Sequence, residues 1–302
     1  MNRPAKRPGT SSQVAERRRT GGALGGFSTA NGSAPPQSLS YLTPARLHQI
    51  SQSLTPLDWQ LLQFVHDGRL AGGGQIIRAF WHTDDAQSAA ARRGRRALKR
   101  LVDCQVLQTL PRRVSGTRGT HGLVYHAGRA GVRLLAARDI HGPRVETPGT
   151  LHLTHTLATT ELALRLYEAD RTGVLELLKV EQEPTCWRSY PGAMSTRVLK
   201  PDLFVRIGAG AQEDRWMVEV DLGSESGRTI ARKLAAYAQH YRSGEEIRTH
   251  GVHPRVVWLV PDKHRAEQIA RVLERQPSET RRLFTIHHFE DAISFLAAEA
   301  RS

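Results

Sequence analysis

Residues 199–222 read LKPDLFVRIGAGAQEDRWMVEVDL, two apolar runs separated by a short stretch rich in Gly and polar residues. Each run alternates at the period of a β-strand. In the first, Leu203, Val205 and Ile207 oppose Asp202, Phe204 and Arg206. In the second, Trp216, Val218, Val220 and Leu222 oppose Met217, Glu219 and Asp221. Acidic groups therefore project from adjacent strands that are apolar enough to be buried, where an unpaired carboxylate is costly. Clustered there, they require a cation, and an oxygen-rich site suits Mg²⁺ or Mn²⁺. The bland alternative is a set of solvated acids at strand ends.

Working outward, helical spacing predicts a helix over 153–169 and another over 229–242. Strand patterns cover 175–181, 199–207, 216–222, 256–260 and 283–288, and helices 265–275 and 291–300 complete the order. That order predicts one α/β domain with a central mixed sheet. Ile230, Lys233, Leu234 and Tyr237 share one stripe of the 229–242 helix, so Lys233 lies on a packing face. It either snorkels or reaches the carboxylates. Glu161 lies between Leu157 and Leu164 on the first helix, as a snorkelling or paired acid or as a ligand.

The first half reads differently. Thr55 caps a helix with Pro56 at its first position, and Leu57, Leu61, Phe64 and Val65 follow. A short helix carries Ile76, Ile77, Phe80 and Trp81, with Gly72-Gly73-Gly74 as the turn before it. A third helix begins at Asp84-Asp85 and runs to about Gln105, with Ala90, Ala97, Leu98, Leu101 and Val102 on its apolar face. Residues 106–110 and 123–125 are the strands of a hairpin around a basic, Gly-containing tip. Three helices followed by a basic hairpin is the pattern of a winged helix, whose third helix enters the major groove while the wing meets the backbone. A plain helical domain with a solvated basic face is the alternative. Breakers at 141–149 mark the domain boundary, and residues 1–42 read as a disordered basic tail.

Charge supports this division. Residues 1–149 hold 22 Lys and Arg against 8 acids, whereas residues 150–302 hold 21 of each. Arg92, Arg93, Arg95, Arg96, Lys99 and Arg100 lie on the third helix, and Arg112, Arg113 and Arg118 on the wing, where a polyanion would be gripped. The expected partner is double-stranded DNA. A homodimer, usual for helix-turn-helix proteins on palindromic sites, is an open expectation. Cys104 and Cys186 build neither a disulfide framework nor a four-cysteine zinc site, and read as buried thiols. The sequence offers no apolar run of membrane-spanning length, no phosphate loop and no Gly-x-Ser-x-Gly elbow. A cytoplasmic protein associated with nucleoid or plasmid is expected. His152, His155, His287 and His288 read as surface or capping histidines.

Pro201-Asp202 on one strand and Glu219-Val220-Asp221 on the next, in this element order, resemble the PD-(D/E)XK nuclease superfamily. Leu199 to Phe204, Glu219 to Glu225 and the helix with Lys233-Leu234-Ala235-Ala236-Tyr237 more closely resemble the replication-relaxation family of plasmid and mobile-element proteins. The resemblance spans roughly residues 43–302. It implies a winged helix over 43–148 and a nuclease-like domain over 149–302, with replication or transfer proteins as further partners. It also implies that Asp202 and Glu219, with Glu161 as a third, hold Mg²⁺ or Mn²⁺. The superfamily's lysine position is Asp221 here, either an extra ligand or a sign of lost catalysis, and Lys233 is the replacement lysine. Two functions follow: a metal-dependent DNA endonuclease or nickase, or a non-catalytic DNA-binding protein whose nuclease-like domain serves dimerisation or docking.

Overall fold

The computed structural model describes residues 41–81, 87–110, 114–115, 121–141, 150–192 and 194–301. Thr43-Pro44 and Thr55-Pro56 are the same start signal used twice. Thr43 Oγ1 accepts from the Arg46 N–H and opens α1 (Pro44–Ser53), a helix that the sequence reading does not contain. Thr55 Oγ1 accepts from the Asp58 N–H, while Asp58 accepts from the Thr55 N–H at 2.8 Å. This reciprocal box starts α2 (Pro56–Asp67). The next elements are β1 (Ala71–Gly72), α3 (Gly73–Phe80), α4 (Gln87–Asp103), β2 (Leu107–Thr109), β3 (Val114–Ser115), β4 (His121–Gly122), β5 (Val124–Ala127) and α5 (Arg129–Ala136). Gly73 and Gly74 thus begin a helix rather than make only a turn.

β5 pairs antiparallel with both β1 and β2, and β3 with β4. Leu61, Leu62, Val65, Ile76, Leu98, Leu101, Val106 and Leu135 form the core beneath them. Burial of each such side chain contributes roughly 1.5–3 kcal/mol. Gly94 lets α4 cross α3 closely, because a Cβ there would stand 3.0 Å from both Ile77 and Trp81. The tail 1–40 and the boundary segment 142–149 lie outside the described residues.

α6 (Thr150–Arg171) begins the remainder. It leads to β6 (Glu176–Gln182), β7 (Arg188–Pro191), β8 (Thr196–Leu199), β9 (Leu203–Ala209), β10 (Gln212–Val220), α7 (Gly227–Ser243) and α8 (Glu245–His250). β11 (Arg255–Val260), α9 (Lys263–Leu273), α10 (Ser278–Arg281), β12 (Phe284–His288) and α11 (Ala292–Glu299) follow. Five strands form one mixed sheet in the order β12-β11-β10-β9-β6. β10, β11 and β12 run parallel, and β9 is antiparallel to both β10 and β6. Leu203, Val205, Trp216, Val218 and Val220 pack with α6 and α11 on one face. Phe204, Met217, Val256 and Trp258 pack toward α7 and α9 on the other. β7 and β8 form a separate ribbon in a stretch read from sequence as loop.

From Leu42 onward the chain is one compact unit. Arg78 forks onto Glu161 and Glu168, and Gln75 Nε2 donates to Leu157 O and Glu161 Oε2, both at 3.0 Å. The Thr160 hydroxyl donates to Leu70 O at 2.8 Å. α6 is thereby fastened to α3 and the turn preceding it. Among the described residues no helix is long and apolar enough to cross a membrane. Cys186 is buried as expected, whereas Cys104 is only half-buried.

Candidate carboxylate–lysine centre

Asp202 enters β9 with its N–H donating to Val218 O of the neighbouring strand at 3.0 Å. Its Oδ2 accepts from the Val220 N–H at 2.7 Å. Glu219, on β10, is 1% exposed. Lys233 and Tyr237, one helical turn apart on α7, meet it from the same side. Lys233 Nζ donates to Glu219 Oε2 at 2.7 Å, and the Tyr237 hydroxyl donates to Oε1 at 2.6 Å. Lys233 also pairs with Glu225 Oε1 at 2.8 Å. Lys233 therefore reaches the acids rather than snorkelling away.

α6 contributes a residue that the sequence reading left on the surface. His155 Nε2 lies 3.2 Å from Asp202 Oδ2 and 3.0 Å from Val220 O. Both neighbours are acceptors, so Nε2 carries hydrogen. Burial works against the His155 imidazolium, but the Asp202 carboxylate outweighs it and raises the pKa. Glu183 stands nearby at the end of β6, bound by Arg69 Nη1 at 3.0 Å. Burial and the Asp202 charge push its carboxyl up.

Burial pushes Glu219 up to about 7; Lys233 opposes this and Asp202 adds to it. Burial also disfavours the Lys233 ammonium, but Glu219 and Asp202 overcome that and hold it charged. Burial, reinforced by Glu219, drives the Tyr237 phenol well up, so it remains a donor.

Two predicted members stand elsewhere. Asp221 turns away, accepting from Arg265 Nε at 3.0 Å and Nη2 at 2.7 Å. Strand alternation puts it beside Glu219, but β10 ends at Val220. The left-handed Gly223 (φ +87°) then redirects the chain, its N–H donating to Asp221 Oδ1. Glu161 is the paired acid of the two readings. It faces Arg78 and Gln75, not the centre.

The residues fit one kind of cation site. Among the described residues no three His, Cys, Asp or Glu side chains converge into a metal cage. Mg²⁺, however, is commonly held by one or two carboxylates, with water and substrate phosphate completing the shell. Asp202 and Glu219 supply that donor set. Beside this centre, Glu225 Oε2 is buried without a hydrogen-bond partner among the described residues.

On α4, Arg92, Arg93, Arg95 and Arg96 are exposed. Lys99 is exposed but bonded to Asp103 at 2.6 Å. Arg100 is bound to the buried Asp58 at 2.6 Å and has a structural task. Arg112, Arg113 and Arg118 lie outside the described residues.

Tyr237 was visible in the sequence as a member of the Lys233 stripe, but as a packing residue. A lone His155, and an Arg265 far from Asp221 in sequence, carry no spacing signal. A family model described as replication-relaxation matches residues 62–256, more than half of the chain. No curated protein and no solved structure matches it.

Proposed function

The chain belongs to the replication-relaxation family, and from that premise we propose that it is a DNA-binding protein of plasmid or mobile-element replication or relaxation that nicks DNA. The observation that carries the reading is Lys233 Nζ, 2.7 Å from Glu219 Oε2, with Asp202 at the start of the adjacent strand. Two acids and one lysine are the minimum set for a nuclease centre of the kind that the sequence resembles.

The front of the molecule supports the DNA half of the proposal. α2, α3 and α4, followed by the β2–β5 hairpin, follow the order of a winged helix. Its third helix displays Arg92, Arg93, Arg95 and Arg96 to solvent. Such arginines bind phosphate and carry much of the affinity.

At the centre, Asp202 and Glu219 would hold Mg²⁺ or Mn²⁺, which supplies water activation and neutralises charge on the phosphate. Water adds to phosphorus, one P–O ester bond breaks, and the departing oxygen leaves with a proton. Lys233 stays charged between its acids, so its role is electrostatic: it stabilises charge building on the phosphoryl oxygens rather than removing a proton. His155 holds Asp202 Oδ2 against β10 and fixes that carboxylate's orientation. Tyr237 does the same for Glu219.

A second reading keeps DNA binding and makes the back half a platform for dimerisation or for replication and transfer proteins. The closure of Asp221 on Arg265, where the superfamily places its lysine, favours it. Nicking of supercoiled plasmid with Mg²⁺ or Mn²⁺ separates the two. The proposal expects nicked circles from the native chain, none with EDTA, and none from Asp202→Asn, Glu219→Gln or Lys233→Met proteins that still shift DNA in a gel. Retained DNA binding without nicking by the native protein, on plasmids that include the element's own origin, would establish the platform.

A further inference from the structure

We propose that the β7–β8 ribbon is a second DNA contact, one that grips the strand entering the Asp202–Glu219–Lys233 centre; this rests on the DNA-binding reading above. The first observation is local charge. The second half of the chain is neutral, yet residues 187–200 contain Arg188, Arg197 and Lys200 and no acid. Arg188 is held by Glu181 at 2.6 Å. Arg197 and Lys200 are exposed. Arg197 meets the neutral Gln239 amide oxygen, and Lys200 Nζ lies over the Trp187 ring at 4.3 Å. Among the described residues neither cation pairs with a carboxylate, so both charges remain available to phosphate.

The second observation is the apolar tip. Met194, in the turn of this two-stranded ribbon, is 100% exposed, and Val198, on β8 nearer its root, is 46% exposed. A two-stranded ribbon fits a DNA groove, and methionine is among the side chains that wedge between base steps.

The third observation is rigidity and place. Tyr190, Leu199 and Cys186 bury the ribbon's root against Phe204, Met217 and Tyr237, the last being the residue that holds Glu219. Cys186 Sγ donates to Pro201 O at 3.0 Å, beside Asp202. At the tip, the Gly192 N–H donates to Ser195 O at 3.0 Å, and a Cβ on Gly192 would lie 2.6 Å from that oxygen. Gly192 and Ser195 are thus held against each other, and β8 passes through Lys200 and Pro201 directly into Asp202. A strand lying along this ribbon is delivered to the carboxylates.

The test uses the full chain in two forms. In one, Arg197→Ala and Lys200→Ala are combined, and DNA affinity is measured from low to high salt. In the other, Met194 is replaced by the photocrosslinker benzoylphenylalanine and irradiated with DNA. The proposal expects the double variant to melt like the native protein, to bind DNA several-fold more weakly, and to lose about two from its log–log salt slope. It expects position 194 to crosslink to DNA. An unchanged slope without a DNA crosslink, while the native chain binds DNA, would overturn the ribbon's role and leave the α4 reading intact. Crosslinked protein dimers from position 194 would give this face to a second copy and overturn it too. A native chain that fails to bind DNA would overturn both.

Discussion

Arg265 closes on Asp221 with two nitrogens, at 3.0 and 2.7 Å, in a pocket where both side chains are almost wholly buried. Arg265 Nη2 also donates to Glu225 O at 2.7 Å, so the guanidinium braces the chain just before α7. Asp221 is thereby a structural residue, although it stands where the nuclease pattern has its lysine.

Removing one member of such a pair leaves the other charge buried. Arg265→Met is expected to destabilise the protein by about 3–5 kcal/mol. Chemical denaturation measures it. The double variant Asp221→Leu with Arg265→Met should recover most of that loss, because no charge is left unpaired.

The basic helix α4 divides by task. Arg92→Ala, Arg95→Ala and Arg96→Ala together should weaken DNA binding strongly and make it less salt-dependent, with little change in melting temperature. Arg100→Ala should lower stability by roughly 1–3 kcal/mol, because Asp58 loses a charged partner while buried. Parallel gel-shift and melting measurements distinguish the two classes. Equal effects in both assays would refute the division.

Glu219 sets a pH dependence. Its pKa in the fold, about 7, lies above the ordinary 4.5. The stability it contributes is complete below about pH 4.5 and is lost as pH rises through 7. Cation binding has the opposite sign, since it needs the carboxylate. Mn²⁺ affinity should therefore rise between pH 6 and 8 with release of a proton, and Glu219→Gln should flatten the rise. Tyr237→Phe removes a donor to the charged form and should move the midpoint upward. Calorimetric titrations in buffers of different ionisation enthalpy measure both quantities.

His240 governs the acid side. It is fully buried, and burial, aided by His253 and Arg188, lowers its pKa to about 4. A histidine depressed in this way contributes stability that is present above pH 6.5 and lost as pH falls through 4. The loss amounts to at most about 3 kcal/mol. His240→Phe should make stability less dependent on pH over that range. An unchanged profile in denaturant melts would show that other groups drive acid unfolding.

Much of this architecture was legible because period-two and helical patterns are strong in β9, β10 and α7, and Thr55-Pro56 announces α2. The central mixed sheet and the approach of Lys233 to the carboxylates followed. α1 was missed because its apolar face is weak, although Thr43-Pro44 repeats the same signal. The ribbon was missed because Pro191 and Gly192 interrupt two very short strands. Glu161 was open to two readings because α6 is buried on several sides, at Thr156, Thr160, Leu162, Ala163, Leu164 and Leu166. Helical spacing therefore does not identify which side meets which neighbour. His155 and Arg265 are joined to their partners only by the folded sheet, across 47 and 44 positions of sequence.

The fork of Arg78 on Glu161 and Glu168, with Thr160 on Leu70 O, makes α6 a shared beam between the basic helices and the sheet. On the proposed reading, a duplex seated on α4 would not swing freely against Asp202. On that reading the molecule would act as a ruler, setting a fixed number of base pairs between the duplex bound at α4 and the nick. Lengthening that step in the DNA by half a helical turn would place the phosphate on the wrong side of the double helix.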